Sequence, residues 1–198
     1  PLLTVIMINV SDFVRSYGWL MLLALVGAGI AARLALAQAA FREKFDAAFL
    51  TLPVLGTLAR SYNTARFAST LAMLASAGVP ILKALQGAAE TLSNQAMRAD
   101  ALDALVRVRE GAPLASALAQ KKRFPGLLAM FARLGEQTGQ LPLMLQRAAK
   151  QLSTEVQRRA MSLATMLEPL LIVAMGVVVM LIVLAVLLPI IQLNQLVK

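Results

Sequence analysis

Residues Pro169–Ile191 read PLLIVAMGVVVMLIVLAVLLPII, 23 positions without a charged side chain. As an α-helix this run is about 34 Å long, enough to cross a hydrocarbon core of ~30 Å. A helix on the surface of a soluble domain keeps one polar face, and this stretch has none. It predicts a transmembrane helix, placed at residues 166–191.

Working back along the chain, a second candidate appears at Tyr17–Ala32, YGWLMLLALVGAGIAA, followed by Arg33 and then LALAQAA. An arginine at a helix centre costs roughly 2.5–3.5 kcal/mol on insertion scales, but near an end it reaches the headgroups. Tyr17 and Trp19 at the other end suit an aromatic belt. Residues 17–40 are therefore expected to be a second span. Small residues recur there at four-residue spacing (Ala24, Ala28, Ala32; Gly27, Ala31, Ala35), a pattern that permits close helix approach but that abundant alanine also produces.

Charge then separates the sides. The chain carries 19 Lys/Arg and 10 Asp/Glu, a net charge of +9. Sixteen of the basic and eight of the acidic residues fall between Phe41 and Leu167. Arg42, Lys44, Arg147, Lys150, Arg158 and Arg159 all lie towards the middle segment near the span ends. The positive-inside rule places residues 41–165 in the cytoplasm, with 1–16 and 192–198 periplasmic. The basic excess is thus accounted for by topology, and nucleic-acid binding is not expected, since aromatic residues are only 5% and offer no stacking platform. There is no cysteine and no histidine, which removes thiolate metal sites and the commonest general base.

The segment 41–165 reads as helical throughout, a bundle of about six helices. AFREKFDAAFLTL sets Phe41, Phe45, Phe49 and Leu52 on one face before Pro53. Ala65, Phe67, Leu71, Leu74 and Ala75 form the next stripe, up to Gly78. One octet then occurs twice, Gly-x-Pro-[Ile/Leu]-x-x-Ala-Leu, at Gly78–Leu85 and Gly111–Leu118. Glycine accepts the left-handed conformation that ends a helix, and proline suits position N1 of the next. A looser third version joins Gly139 to Pro142. Solenoid repeats need regular spacing and their own signatures, which are missing. The expected architecture is all-α: a polytopic membrane protein whose two spans flank a cytoplasmic bundle with tight corners.

Three further features invite a functional reading. Gly135 and Gly139 bracket Glu136, Gln137 and Thr138, yet a phosphate loop would need a lysine where Leu141 and Pro142 stand, and Glu136 would repel phosphate. A helix corner with Thr138 as a cap is the preferred reading. Glu168 precedes Pro169 at the mouth of the second span, where capping or pairing with a neighbour such as Arg33 competes with a functional role. Lys121, Lys122 and Arg123 suit a solvated loop better than a contact with acidic lipid or a partner.

The runs LPVLGTLARSYNTARFASTLAMLASAGVPILKAL (52–85), FPGLLAMFARLGEQTGQL (124–141), LEPLLIVAMG (167–176) and LLPIIQLNQLV (187–197) resemble the F protein family of type II secretion systems. The related type IV pilus platform proteins share the architecture, and the LNQLV ending is more similar to the secretion branch. Gly126 departs from the pattern, since relatives often carry a second proline there. The resemblance implies two homologous cytoplasmic domains and three spans in the family, with this chain corresponding to the C-terminal half. It further implies a non-enzymatic inner-membrane platform without cofactor or metal. Expected partners are a cytoplasmic secretion ATPase, its inner-membrane anchoring protein and pseudopilins, with the platform itself a homo-oligomer. Within it, Gly135, Glu136 and Gly139 are expected to shape a corner used in a partner contact. A pilus-assembly platform is the alternative, and a transporter or channel subunit fits less well because neither span offers a polar lining.

Overall fold

The computed structural model describes residues 2–196. Among these, every regular element is an α-helix: α1 (Leu2–Leu36), α2 (Ala39–Phe49), α3 (Leu55–Ser76), α4 (Ile81–Glu90), α5 (Gln95–Arg109), α6 (Leu114–Ala119), α7 (Gly126–Thr138) and α8 (Leu141–Leu196). They form two compact units, one of residues 1–35 and 162–198, the other of residues 36–161. The end of the predicted tail, residues 197–198, lies outside the described residues.

The first unit contains helix and nothing else among its described residues. α1 is already helical before Tyr17, so the apolar stretch expected at 17–40 is the later part of a longer helix that ends at Leu36. Among the described residues, two helices are long and apolar enough to cross a membrane, and their apolar windows have no buried residue. The core helix of a soluble protein would be mostly buried, so that explanation does not fit these helices. Arg33 stands in the last turn of α1 and Glu168 inside α8; among the described residues they form no ion pair with each other.

The second unit is a packed domain holding α2 to α7 and the beginning of α8. Phe67, Leu71, Leu85, Met97, Leu118, Leu128 and Leu145 are fully buried in one core, and the rings of Phe67 and Phe124 meet at 5.3 Å. Alanines 84, 88 and 89 of α4 and 101 and 104 of α5 line the same core, so these two helices pack against each other through small side chains. Phe41, Phe45 and Phe49 share a face as the spacing implies, but that face is exposed, and Leu52 lies beyond the helix in the following turn. α2 also stops at Phe49, before Pro53, because a turn from Leu50 to Val54 intervenes and buries Leu50.

The twin octets build nearly identical corners. Gly78 and Gly111 have φ of 80° and 99°. At the first, Val79 N–H donates to the Leu74 carbonyl at 3.0 Å and Gly78 N–H to that of Ala75 at 3.1 Å. At the second, Ala112 donates to Arg107 at 2.9 Å and Gly111 to Val108 at 3.0 Å. This paired 6→1 and 5→2 pattern satisfies the helix's last carbonyls. Pro80 and Pro113 do not occupy N1 as expected. Their ψ angles of 137° and 142° are extended, so each is the N-cap, and its carbonyl accepts from Ala84 or Ala117. Pro125 has the same role before α7, with ψ of 138°. Pro142 is the second residue of α8, where a missing N–H costs nothing.

Buried amides lock the start of α5. The Asn63 side-chain oxygen accepts from Ser93 N–H at 3.0 Å, Ser93 Oγ at 3.1 Å and Asn94 N–H at 3.4 Å. Asn94 caps α5 by accepting from Met97 N–H at 3.0 Å, and Asp46 of α2 accepts from Gln95 N–H at 2.7 Å. Three of α5's first donors thereby find acceptors in side chains from three different segments.

Candidate functional site: a carboxylate-clamped corner

α6 has six residues, too few to hold a helix by its own hydrogen bonds. Its N-cap, Pro113, offers no side-chain acceptor, which leaves the first N–H groups in need of one. Glu136, on α7, supplies it. One carboxylate oxygen accepts from Leu114 N–H at 2.6 Å and the other from Ala115 N–H at 3.3 Å. A negative charge at a helix N-terminus also meets the positive end of the helix dipole.

The rest of the Gly-Glu-x-Thr-Gly run explains itself around that clamp. Gly135 is buried, and a Cβ there would come within 2.7 Å of the Leu141 Cα and 3.1 Å of the Met144 Cβ. Only glycine lets α7 approach the start of α8 so closely. Thr138 does not cap; its hydroxyl donates back to the Leu134 carbonyl at 2.8 Å. Gly139 ends α7 at φ 68°, and Gln140 N–H closes the corner by donating to the Gly135 carbonyl at 2.9 Å. Glu136 is therefore brought onto the second octet, a junction that 22 residues of separation between Glu136 and Leu114 hid from a local reading, while Gly135 and Gly139 shape the corner between α7 and α8. An open groove beside the clamp is lined by Pro113, Ser116, Arg133 and Gln137.

Two of the three basic residues after α6 are paired. Arg123 Nη1 donates to both carboxylate oxygens of Asp100 at 3.0 Å, and Lys121 joins Arg107 on Asp103. Lys121 first, then Arg107, holds the Asp103 carboxyl below its ordinary range. These contacts pin the 120–124 loop to α5. The sequence does not reveal this pairing, because neither acid is adjacent to the run in the chain. No cluster of potential metal-ligating side chains exists among the described residues.

A family comparison adds what geometry does not. The model for the type II secretion system (T2SS) protein F family matches residues 67–189, from α3 into the apolar part of α8. The chain belongs to this family. Type II secretion system protein F of Pseudomonas aeruginosa is 43% identical over 197 residues, covering 100% of this chain and 49% of the relative. The protein of the same name from Aeromonas hydrophila is 39% identical, with 100% and 51% covered. The type IV pilus assembly protein PilC of Thermus thermophilus is 37% identical over 96% of this chain and 47% of its own length. The chain thus spans about half the length of these T2SS protein F and PilC relatives. The twin corners, the clamp and both candidate spans fall within the aligned region of the two protein F relatives.

Proposed function

We propose that this chain is part of an inner-membrane assembly platform for type II secretion, with residues 17–36 of the expected 17–40 span and residues 166–191 crossing the membrane and 41–165 in the cytoplasm. The observation that carries this is membership of the protein F family across most of the packed domain and into the apolar part of α8. The clustering of Lys and Arg in the middle segment supports the orientation, with 1–16 and 192–198 periplasmic. The platform couples a cytoplasmic secretion ATPase and its membrane-anchoring protein to the assembly of pseudopilins, and works as a homo-oligomer without catalysing a reaction. A domain whose corners are closed by backbone bonds and a carboxylate clamp suits that task, because a stiff body passes on displacement rather than absorbing it.

The partner contact is assigned to the corner shaped by Gly135, Glu136 and Gly139, with Ser116, Arg133 and Gln137 as its accessible rim. Photo-crosslinkers at Ser116 and Gln137 in the full protein, in secreting cells, test this. Adducts with the ATPase or its anchoring protein are expected; their absence from both positions, with normal secretion by Ser116→Arg and Gln137→Arg variants, refutes the assignment. A pilus-assembly platform is the second reading, favoured by the likeness to the Thermus thermophilus PilC.

A further inference from the structure

α2 carries an apolar face that the packed domain does not cover. Phe41, Phe45 and Phe49 are 47%, 50% and 38% exposed, in a domain whose other phenylalanines, Phe67, Phe124 and Phe131, belong to or pack against the core. At 3.6 residues per turn the three rings lie within roughly 80° of arc. The charges around the helix are unevenly placed. Measured from the middle of the three rings, Arg42 lies roughly 60° to one side and Lys44 roughly 100° to the other, Glu43 is nearly opposite, and Asp46 lies roughly 100° round, beyond Arg42. Asp46 is turned into the protein: it accepts from Gln95 N–H at 2.7 Å, and α2 packs against α5. An aromatic face with a cation on either side, one acid opposite and the other held by a backbone N–H, matches a helix lying in a membrane interface rich in anionic headgroups.

Chain connectivity points to the same occupant. α1, a candidate span, ends at Leu36, and α2 begins at Ala39. Three Cα steps cover at most about 11 Å, so a span that leaves the bilayer at Leu36 delivers α2 at the headgroup layer. We propose that α2 is an interfacial helix, with Phe41, Phe45 and Phe49 seated at the headgroup–acyl boundary and Arg42 and Lys44 reaching anionic lipid phosphates. The assignment rests on the membrane placement proposed above. It gives the packed domain a second point of attachment to the membrane, at the edge where α2 meets α5.

The chain contains no cysteine, so single reporters are clean within it. The whole protein, freed of any cysteine outside this chain, is labelled with a bimane at Phe45→Cys, Glu43→Cys or Leu25→Cys and placed in nanodiscs of phosphatidylethanolamine and phosphatidylglycerol. Quenching is read with acyl-brominated lipid and with aqueous iodide. The expected result is bromolipid quenching for Phe45→Cys at least about twofold above that for Glu43→Cys, since interfacial helices bury one face ~5–10 Å deep. The Leu25→Cys label, mid-way along the apolar part of α1, reports the membrane placement separately. Lipid quenching at Leu25→Cys with iodide quenching alone at Phe45→Cys overturns the interfacial helix and leaves the span intact. Loss of lipid quenching at Leu25→Cys overturns both. A Phe45→Cys label shielded from both quenchers means that protein covers the face, which also overturns the proposal. Adding Arg42→Gln and Lys44→Gln is expected to halve the Phe45→Cys signal in these discs but not in phosphatidylcholine discs; equal signals in both overturn the role of anionic lipid.

Discussion

Replacing Glu136 with alanine strips the start of α6 of its acceptor. Leu114 N–H loses a bond of 2.6 Å and Ala115 N–H a longer one of 3.3 Å, and Pro113 has no side-chain acceptor to substitute. A hydrogen bond to a charged group contributes roughly 1.5–3 kcal/mol, and loss of an N-cap costs about 0.5–2 kcal/mol. Glu136 is exposed to water, which competes for the same N–H groups, so the lower part of these ranges applies. The expected loss is about 1–2 kcal/mol for Glu136→Ala, and about 0.5–1 kcal/mol for Glu136→Gln, which keeps a neutral acceptor. For a domain of this size that corresponds to roughly 4–8 °C and 2–4 °C in melting temperature. Circular dichroism melts of the detergent-solubilised protein measure the shift, and amide exchange at Leu114 and Ala115 locates it. If both variants melt within about 1 °C of the parent and exchange is unchanged, the carboxylate is not a clamp.

Gly135→Ala is expected to be at least as damaging, about 1–3 kcal/mol, because the new methyl meets the α8 backbone at 2.7 Å; a urea titration reads it as a lower midpoint. Gly126→Pro is expected to stabilise by about 0.4–1 kcal/mol, since Gly126 is the first residue of α7 and a Cβ there meets nothing within 4 Å; a raised melting temperature checks it. The Asp103 carboxyl should titrate below its ordinary value of 3.8, as read by NMR of the carboxyl carbon. Because its folded pKa is depressed, the stabilisation from Lys121 and Arg107 is complete above the unfolded value and is lost as pH falls through the folded one. Amide exchange in residues 120–124 should therefore quicken on acidification below that range, and should lose this pH dependence in Asp103→Asn.

Features governed by neighbouring residues were legible in the sequence. Glycine at a positive φ and a proline after it announce a corner locally, so Gly78–Pro80 and Gly111–Pro113 could be placed within one residue of their true roles. An uncharged 23-residue run is equally self-contained. What stayed hidden depends on contacts across the fold. Nothing near Glu136 reveals that its acceptor role is exercised 22 residues upstream, and nothing near Asn63 or Asp46 points to the start of α5. The exposure of the α2 phenylalanines was hidden for the same reason: periodicity shows that residues share a face but not what that face meets.

The most direct test of the platform assignment is the export phenotype of a chromosomal deletion, complemented with the wild-type gene. The account predicts that type II substrates accumulate in the periplasm of the deletion strain, that complementation restores their release, and that surface pili are unaffected. Normal secretion in the deletion strain, or loss of pili with secretion intact, would contradict it.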